Sequence, residues 1–250
     1  MGCWPWSASI KPKRRGEVRL ATAWETLERI ETEAGTLELR RRGQEDFLIT
    51  VAGRVLMNSH ANRSELALAD LACAALESLA QPRLLLGGLG MGCTLGAALA
   101  SLPGGADIQV VELNPHIADW CRGPLAEINA SALDDPRVDL RVADVATVIR
   151  EAARGPDPKR YDAILLDLYE GPHPGSHAQD DPFYGSRALA RSREALRERG
   201  ILAVWGETSD RQFIQRMRAA GFDPQVHRPG RGGLRHAVHL GRRDGAKPRA

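Results

Sequence analysis

Apolar and polar positions alternate in two different rhythms along this chain. Between residues 36 and 58 the pattern is strand-like, with a period of two in Thr36-Leu37-Glu38-Leu39-Arg40 followed by the short apolar runs Phe47-Leu48-Ile49-Thr50-Val51 and Arg54-Val55-Leu56-Met57. That pattern predicts short strands, with Ala52-Gly53 as the turn joining the last two. From Ser64 to Ala80 the spacing becomes helical through Leu66, Leu68, Ala69, Leu71, Ala72, Ala75 and Leu76, with Ser64 as a candidate cap. Beyond residue 82, short continuous apolar runs take over. The predicted strands are 83–86, 108–112, 138–142, 163–167 and 201–205. Helical segments are predicted to start near Cys93, Pro115, Val145, Ser186 and Asp210. Continuous apolar runs separated by helices indicate a parallel sheet covered on both faces. The last two runs, 222–227 and 236–240, are joined by Arg228-Pro229-Gly230-Arg231-Gly232-Gly233-Leu234-Arg235, a basic segment too short for a helix. The final strand is therefore predicted to pair antiparallel.

The chemistry gathers where these strands end. The run Leu84-Leu85-Leu86-Gly87-Gly88-Leu89-Gly90-Met91-Gly92 takes a strand into a glycine-rich turn, and the next strand ends on Glu112. Glycines there let the backbone approach a ligand, and the acid accepts hydrogen bonds from ribose hydroxyls. Gly87, Gly88, Gly90, Gly92 and Glu112 are therefore candidate cofactor-binding residues. The third and fourth strands also end on acids, Asp144 and Asp167. Asp144 can accept from an adenine amino group or can cap the helix that starts at Val145, a further candidate contact. Asp167 lies nearer the reacting centre. A nicotinamide cofactor has no fixed need for these acids, whereas an adenosyl sulfonium does. The fold class expected is α/β: a class I methyltransferase-like, Rossmann-like, mostly parallel sheet with a C-terminal antiparallel strand, preceded by a small antiparallel β unit. S-adenosylmethionine, or its decarboxylated form, is the expected cofactor.

Composition narrows the partners. With 34 basic and 32 acidic residues the formal net charge is only +2, which gives no reason to expect nucleic acid. Cys3, Cys73, Cys93 and Cys121 have no zinc spacing, and the last three sit in apolar helical patterns as small buried residues. His173 and His177, near Asp180 and Asp181, lie on a loop, where a spacing of four does not make a metal site, so no metal is assigned. No segment reaches membrane-spanning length, and a cytoplasmic enzyme is the expectation. The expected organisation is an arm at 1–18, a small β domain at 19–60, the transferase domain at 61–243 and a tail at 244–250. Trp4 and Trp6 on the arm are candidates for docking on a second subunit, and a homodimer is expected.

From about Glu33 to Arg242 the chain resembles the spermidine synthase, or polyamine aminopropyltransferase, family. Gly87-Gly88-Leu89-Gly90-Met91-Gly92 is similar to the family's GGGDGG. Asp134-Asp135-Pro136-Arg137-Val138 followed by Ala143-Asp144 resembles its DPR(V)…GD segment, and residues 161–172, YDAILLDLYEGP, resemble YDxIxxDxxDP. Gly206-Glu207 falls at QGE, and Glu65 at the acid of DEFxYHE. The resemblance implies that Glu112 binds ribose, that Asp144 approaches adenine, that Asp167 handles the attacking amine, and that Glu170 helps hold it. Tyr169 is a candidate to flank the acceptor, and the loop 171–182 a candidate lid.

Departures from the family pattern shape the functional expectation. Gly90 replaces an acid implied to hold the aminopropyl ammonium. Leu68-Ala69 replaces Tyr-His, Trp205 replaces Gln, and Glu170 stands for Asp. Gly90 and Leu68-Ala69 put methyl transfer from S-adenosylmethionine to a small amine-type molecule first. Aminopropyl transfer to a polyamine is the alternative, with Glu65, Asp70 or Glu170 supplying the missing charge. A non-catalytic protein that binds the cofactor is a further one.

Overall fold

The computed structural model describes residues 23–176, 178–229 and 236–244. The expected arm with Trp4 and Trp6, His177, most of the basic connection at 228–235 and nearly all of the tail lie outside the described residues. Two sheets organise the remainder. The first is an antiparallel meander of β1 (Glu25–Thr32), β2 (Gly35–Arg42), β3 (Asp46–Val51) and β4 (Arg54–Asn58), in that spatial order. Its buried positions, Leu37, Leu39, Phe47 and Ile49, alternate along β2, as the sequence indicates, and along β3. The strand β1 was not anticipated. It reads Glu-Thr-Leu-Glu-Arg-Ile-Glu-Thr, its register shifts between Thr26 and Glu28, and no residue in it is fully buried. An edge strand with one shallow face carries little hydrophobic signal. Trp120 nonetheless ties it to the second sheet by donating its indole N–H to Glu28 at 2.6 Å.

The second sheet has the order β10-β11-β9-β8-β5-β6-β7. Its strands are β5 (Arg83–Gly87), β6 (Asp107–Glu112), β7 (Val138–Val142), β8 (Tyr161–Leu166), β9 (Leu196–Gly206), β10 (Phe222–His227) and β11 (Ala237–Arg243). All pairs from β7 to β9 are parallel, while β11 runs antiparallel between β9 and β10, as the missing helix predicts. Leu84 and Leu86 face one side of the sheet and Leu85 the other. The first side packs against α1 (Arg63–Ala74), α2 (Cys93–Ser101) and α3 (Pro115–Arg122). The second packs against α4 (Val145–Arg154), α5 (Ser186–Ala195) and α6 (Arg211–Ala219). Asn114 and Asp210 cap α3 and α6 by accepting from the backbone of His116 and Phe213. No helix among the described residues is long and apolar enough to cross a membrane.

Three local readings are corrected. α1 ends at Ala74 rather than Ala80, because the chain continues in tight turns (Leu76 N–H to Cys73, Leu79 N–H to Leu76) ahead of Pro82. Ser64 does not cap α1; Asn62 occupies that position and offers no side-chain cap. Cys73 and Cys121 are buried as expected, but Cys93 at the head of α2 is only partly so.

The Asp135-Pro136-Arg137 segment has a structural role. Arg137 makes a bidentate pair with Asp135 and points Nη1 at the carbonyls of Leu99, Leu102 and Pro103, closing the C-terminal end of α2. Arg137→Ala should lower stability by about 2–3 kcal/mol, since it leaves several half-buried acceptors unpaired. Denaturant unfolding at neutral pH checks this.

Candidate active site

The carboxyl ends of β5, β6, β7 and β8 open into a cavity of about 520 Å³, on either side of the point where the strand order reverses. It is completed by β4 from the small sheet and by the loop after β8. The turn after β5 brings the backbone in. Gly88 has φ +88°, and a side chain there would place its Cβ 2.2 Å from the carbonyl oxygen of Asp167. No other residue fits. Glu112 is only 9% exposed. Its two oxygens accept from the backbone N–H of Leu89 and of Asn114, both at 2.9 Å, so the carboxylate clamps the glycine turn to the end of β6. Each oxygen keeps a further lone pair for a ligand. Leu113 beside it is 73% exposed and forms, with Ile117 and Val145, an apolar wall at this end.

Of the two roles weighed for Asp144, the structure shows the helix cap. Its side chain accepts from Ala146 N–H at 2.9 Å and from the Thr147 hydroxyl, capping α4, and its exposed carboxylate also lines the cavity. Asp167 lies on the opposite side. Burial pushes its carboxyl up to about 7; a 2.5 Å hydrogen bond from the Thr94 hydroxyl acts against this, and the charge of Glu65 adds to it. Glu170 faces the same cavity, 3.7 Å from Arg54 of β4 and 3.3 Å from His173. Tyr169 is half-exposed with the Arg54 guanidinium over its ring at 5.7 Å. The loop 171–182 folds against the cavity through His173, Ser176, Asp181 and Pro182.

The lining is strongly one-signed. Six carboxylates (Glu65, Glu112, Asp144, Asp167, Glu170 and Asp181) face a single imidazole, His173; no lysine or arginine is among the described lining residues. Of the charges weighed as substitutes, Glu65 and Glu170 reach the cavity, while Asp70 is on the exposed face of α1. Leu68 and Ala69 are fully buried in the core and do not line the cavity, so their departure from Tyr-His does not change its walls. Two lining residues, Met57 and Tyr184, escaped sequence reasoning. Met57 lies over the glycine turn: a Cβ on Gly90, whose φ is +53°, would come within 2.7 Å of its Sδ and Cε. Tyr184 Oη and Trp205 Nε1 are buried in the wall without a hydrogen-bond partner among the described residues. Of these, Trp205 was singled out in the sequence as the residue at the QGE position.

Restoring an acid with Gly90→Asp alone should cost about 1–2 kcal/mol, because the new side chain must displace the Met57 thioether. Met57→Ala in the same chain should recover most of it. Thermal melts of the single and double variants test the contact.

A family model described as spermine/spermidine synthase domain matches residues 82–217, from β5 into α6. The chain belongs to the spermine/spermidine synthase family. Within it, the chain is 30% identical over 126 residues to a polyamine aminopropyltransferase of Mycobacterium tuberculosis (strain CDC 1551 / Oshkosh), 48% of this chain and 23% of that one. It is 31% identical over 101 residues to a spermine synthase of Arabidopsis thaliana, 40% of this chain and 25% of that one. The matched stretch spans about a quarter of the length of these curated relatives. Among solved structures it resembles a spermidine synthase from Thermotoga maritima, with TM-score 0.65, 14% identity and coverage of 89% of this chain and 74% of that one. A spermidine synthase in complex with the transition-state analogue AdoDATO gives TM-score 0.68 at 14% identity, covering 97% and 84%. These likenesses establish the spermidine synthase fold, small antiparallel sheet included.

Proposed function

We propose that this family member transfers an aminopropyl group from decarboxylated S-adenosylmethionine to a polyamine-type amine. The observation that carries the reading is the cavity lining of six carboxylates, with no lysine or arginine among the described residues that line it. Both substrates of aminopropyl transfer are cations. Ordinary S-adenosylmethionine brings a carboxylate, and like charges forced together in a partly desolvated site cost several kcal/mol. The names of the matched relatives support the same reading, as does the analogue bound in one of the structural neighbours.

The residues present fit an adenosyl sulfonium. The turn at Gly88 admits close approach of the backbone, Glu112 has lone pairs for ribose, and Asp144 with Val145 flanks the place for adenine. The co-substrate supplies a carbon already activated by its positive sulfur, so positioning and proton removal are left to the protein. The amine arrives as an ammonium and must lose a proton before its nitrogen can form the new bond. That bond forms as the carbon–sulfur bond breaks, and the electron pair of the broken bond goes to sulfur. Asp167, with its carboxyl near 7, is the base. Glu170, held between Arg54 and His173, orients the amine, and Tyr169 flanks it.

Methyl transfer, placed first from the sequence, remains the second reading; Gly90 favours it, since the acid implied for the aminopropyl ammonium is missing there. Calorimetric titration with the two cofactors separates the readings. Binding of the decarboxylated form at least about tenfold tighter is expected, equivalent to roughly 1.4 kcal/mol. Tighter binding of ordinary S-adenosylmethionine would favour methyl transfer.

A further inference from the structure

Glu65 opens the first turn of α1 at the cavity wall and is 7% exposed. It faces Asp167 as a like charge, and its carboxylate disfavours ionisation of Asp167. A free carboxylate so placed would rotate away. Ser64 and His236 hold it. The Ser64 hydroxyl donates to Glu65 Oε2 at 2.6 Å, and Ser64 Oγ itself lies 2.8 Å from His236 Nδ1. A serine has one hydroxyl hydrogen. With that hydrogen on the carboxylate, Nδ1 of His236 is the donor to Oγ, so the chain runs from Nδ1–H through Oγ–H to Oε2 and fixes the imidazole tautomer. Ser64 is free for this because it does not cap α1. His236 is brought to it, across 172 residues of sequence, by the antiparallel pairing of β11 with β9. Its ring also meets Trp205 edge-on at 5.0 Å.

We propose that His236 is a positioning residue that acts through Ser64 to aim Glu65 into the cavity, where the carboxylate holds an ammonium of the acceptor amine. The proposal rests on the aminopropyl-transfer reading above. It assigns Glu65 a binding rather than a proton-removing part: its Oε2 is already engaged, whereas Asp167 has the raised carboxyl.

Two substitutions at position 236 separate positioning from packing. His236→Phe keeps a ring against Trp205 and removes Nδ1. His236→Asn removes the ring and retains a side-chain N–H close to where Nδ1 stood. Steady-state kinetics with decarboxylated S-adenosylmethionine and 1,4-diaminobutane should show KM for the diamine raised about tenfold by His236→Phe, with kcat within about twofold, while His236→Asn stays near wild type. Ser64→Ala should match His236→Phe, and the double variant should be no worse than either, as expected for links of one chain. Should His236→Phe fail to fold, Ser64→Ala carries the same expectation. A wild-type KM in His236→Phe or Ser64→Ala, or an Asn variant worse than Phe, would reduce His236 to a packing residue. Absence of aminopropyl product from the wild-type protein would instead remove the functional reading, and this inference with it.

Discussion

Asp167→Asn should lower kcat by about a thousandfold while leaving affinity for the nucleoside part of the cofactor within a few fold. The amide is the same size and can keep a partner in the Thr94 hydroxyl, but it cannot take a proton. The same carboxyl sets a pH dependence. Its folded value, about 7, lies above the ordinary 3.8. The contribution of the protonated form to stability is thus complete below 3.8 and is lost as pH rises through 7. Above that point the ionised carboxylate is a burden on the unliganded fold. Asp167→Asn should therefore melt at a higher temperature than wild type at pH 8, with the gap closing as pH falls toward 4. Catalysis should follow the opposite limb, with kcat/KM rising as pH passes through about 7 and the base becomes free. A melting gap independent of pH would mean that Asp167 is not the group titrating there.

Gly88→Ala should damage fold and binding together. The methyl would sit 2.2 Å from the Asp167 carbonyl oxygen, on a backbone with φ +88° that side chains rarely adopt. Neither obstacle is the end of a flexible side chain. Separating the turn after β5 from the end of β8 should cost about 2–5 kcal/mol. It should also shift the acids at those two strand ends, so cofactor binding should fall by more than the loss of folded protein explains. Gly96 in α2 is the control: a Cβ there meets nothing within 4 Å, and Gly96→Ala should stabilise by about 0.5–1 kcal/mol. Chemical denaturation and calorimetry on the pair test both statements. Wild-type binding in Gly88→Ala would contradict the close approach of turn and strand.

What the sequence displayed well was whatever repeats locally. The continuous apolar runs of β5, β6 and β8 and the acids at strand ends required only neighbouring residues to be read. The absence of a helix before β11 was legible in the same way. β1 was hidden because Leu27 and Ile30 are only partly buried and its other positions are polar or charged. The end of α1 was hidden because alanine and leucine continue after Ala74 while the chain turns toward Pro82. The site divided along the same line. Glu112, Asp144 and Asp167, which line the cavity, were legible as candidates because each lies at the end of a strand. Met57 over Gly90, and His236 on Ser64, are contacts between distant segments with no local pattern to announce them. Leu68-Ala69 misled for a related reason: a change of residue type reveals nothing about facing, and these two face the core. Once they are set aside, the surviving argument for methyl transfer is Gly90, weighed against six acids in the cavity wall.

The central claim is that this cavity passes an aminopropyl group between two cations. The most direct measurement is mass spectrometry of the amine recovered after incubating the protein with 1,4-diaminobutane and an equal mixture of S-adenosylmethionine and its decarboxylated form. The account predicts an amine enlarged by one aminopropyl unit, made only when the decarboxylated form is present and lost in Asp167→Asn. A methylated amine, formed with ordinary S-adenosylmethionine alone, would contradict it.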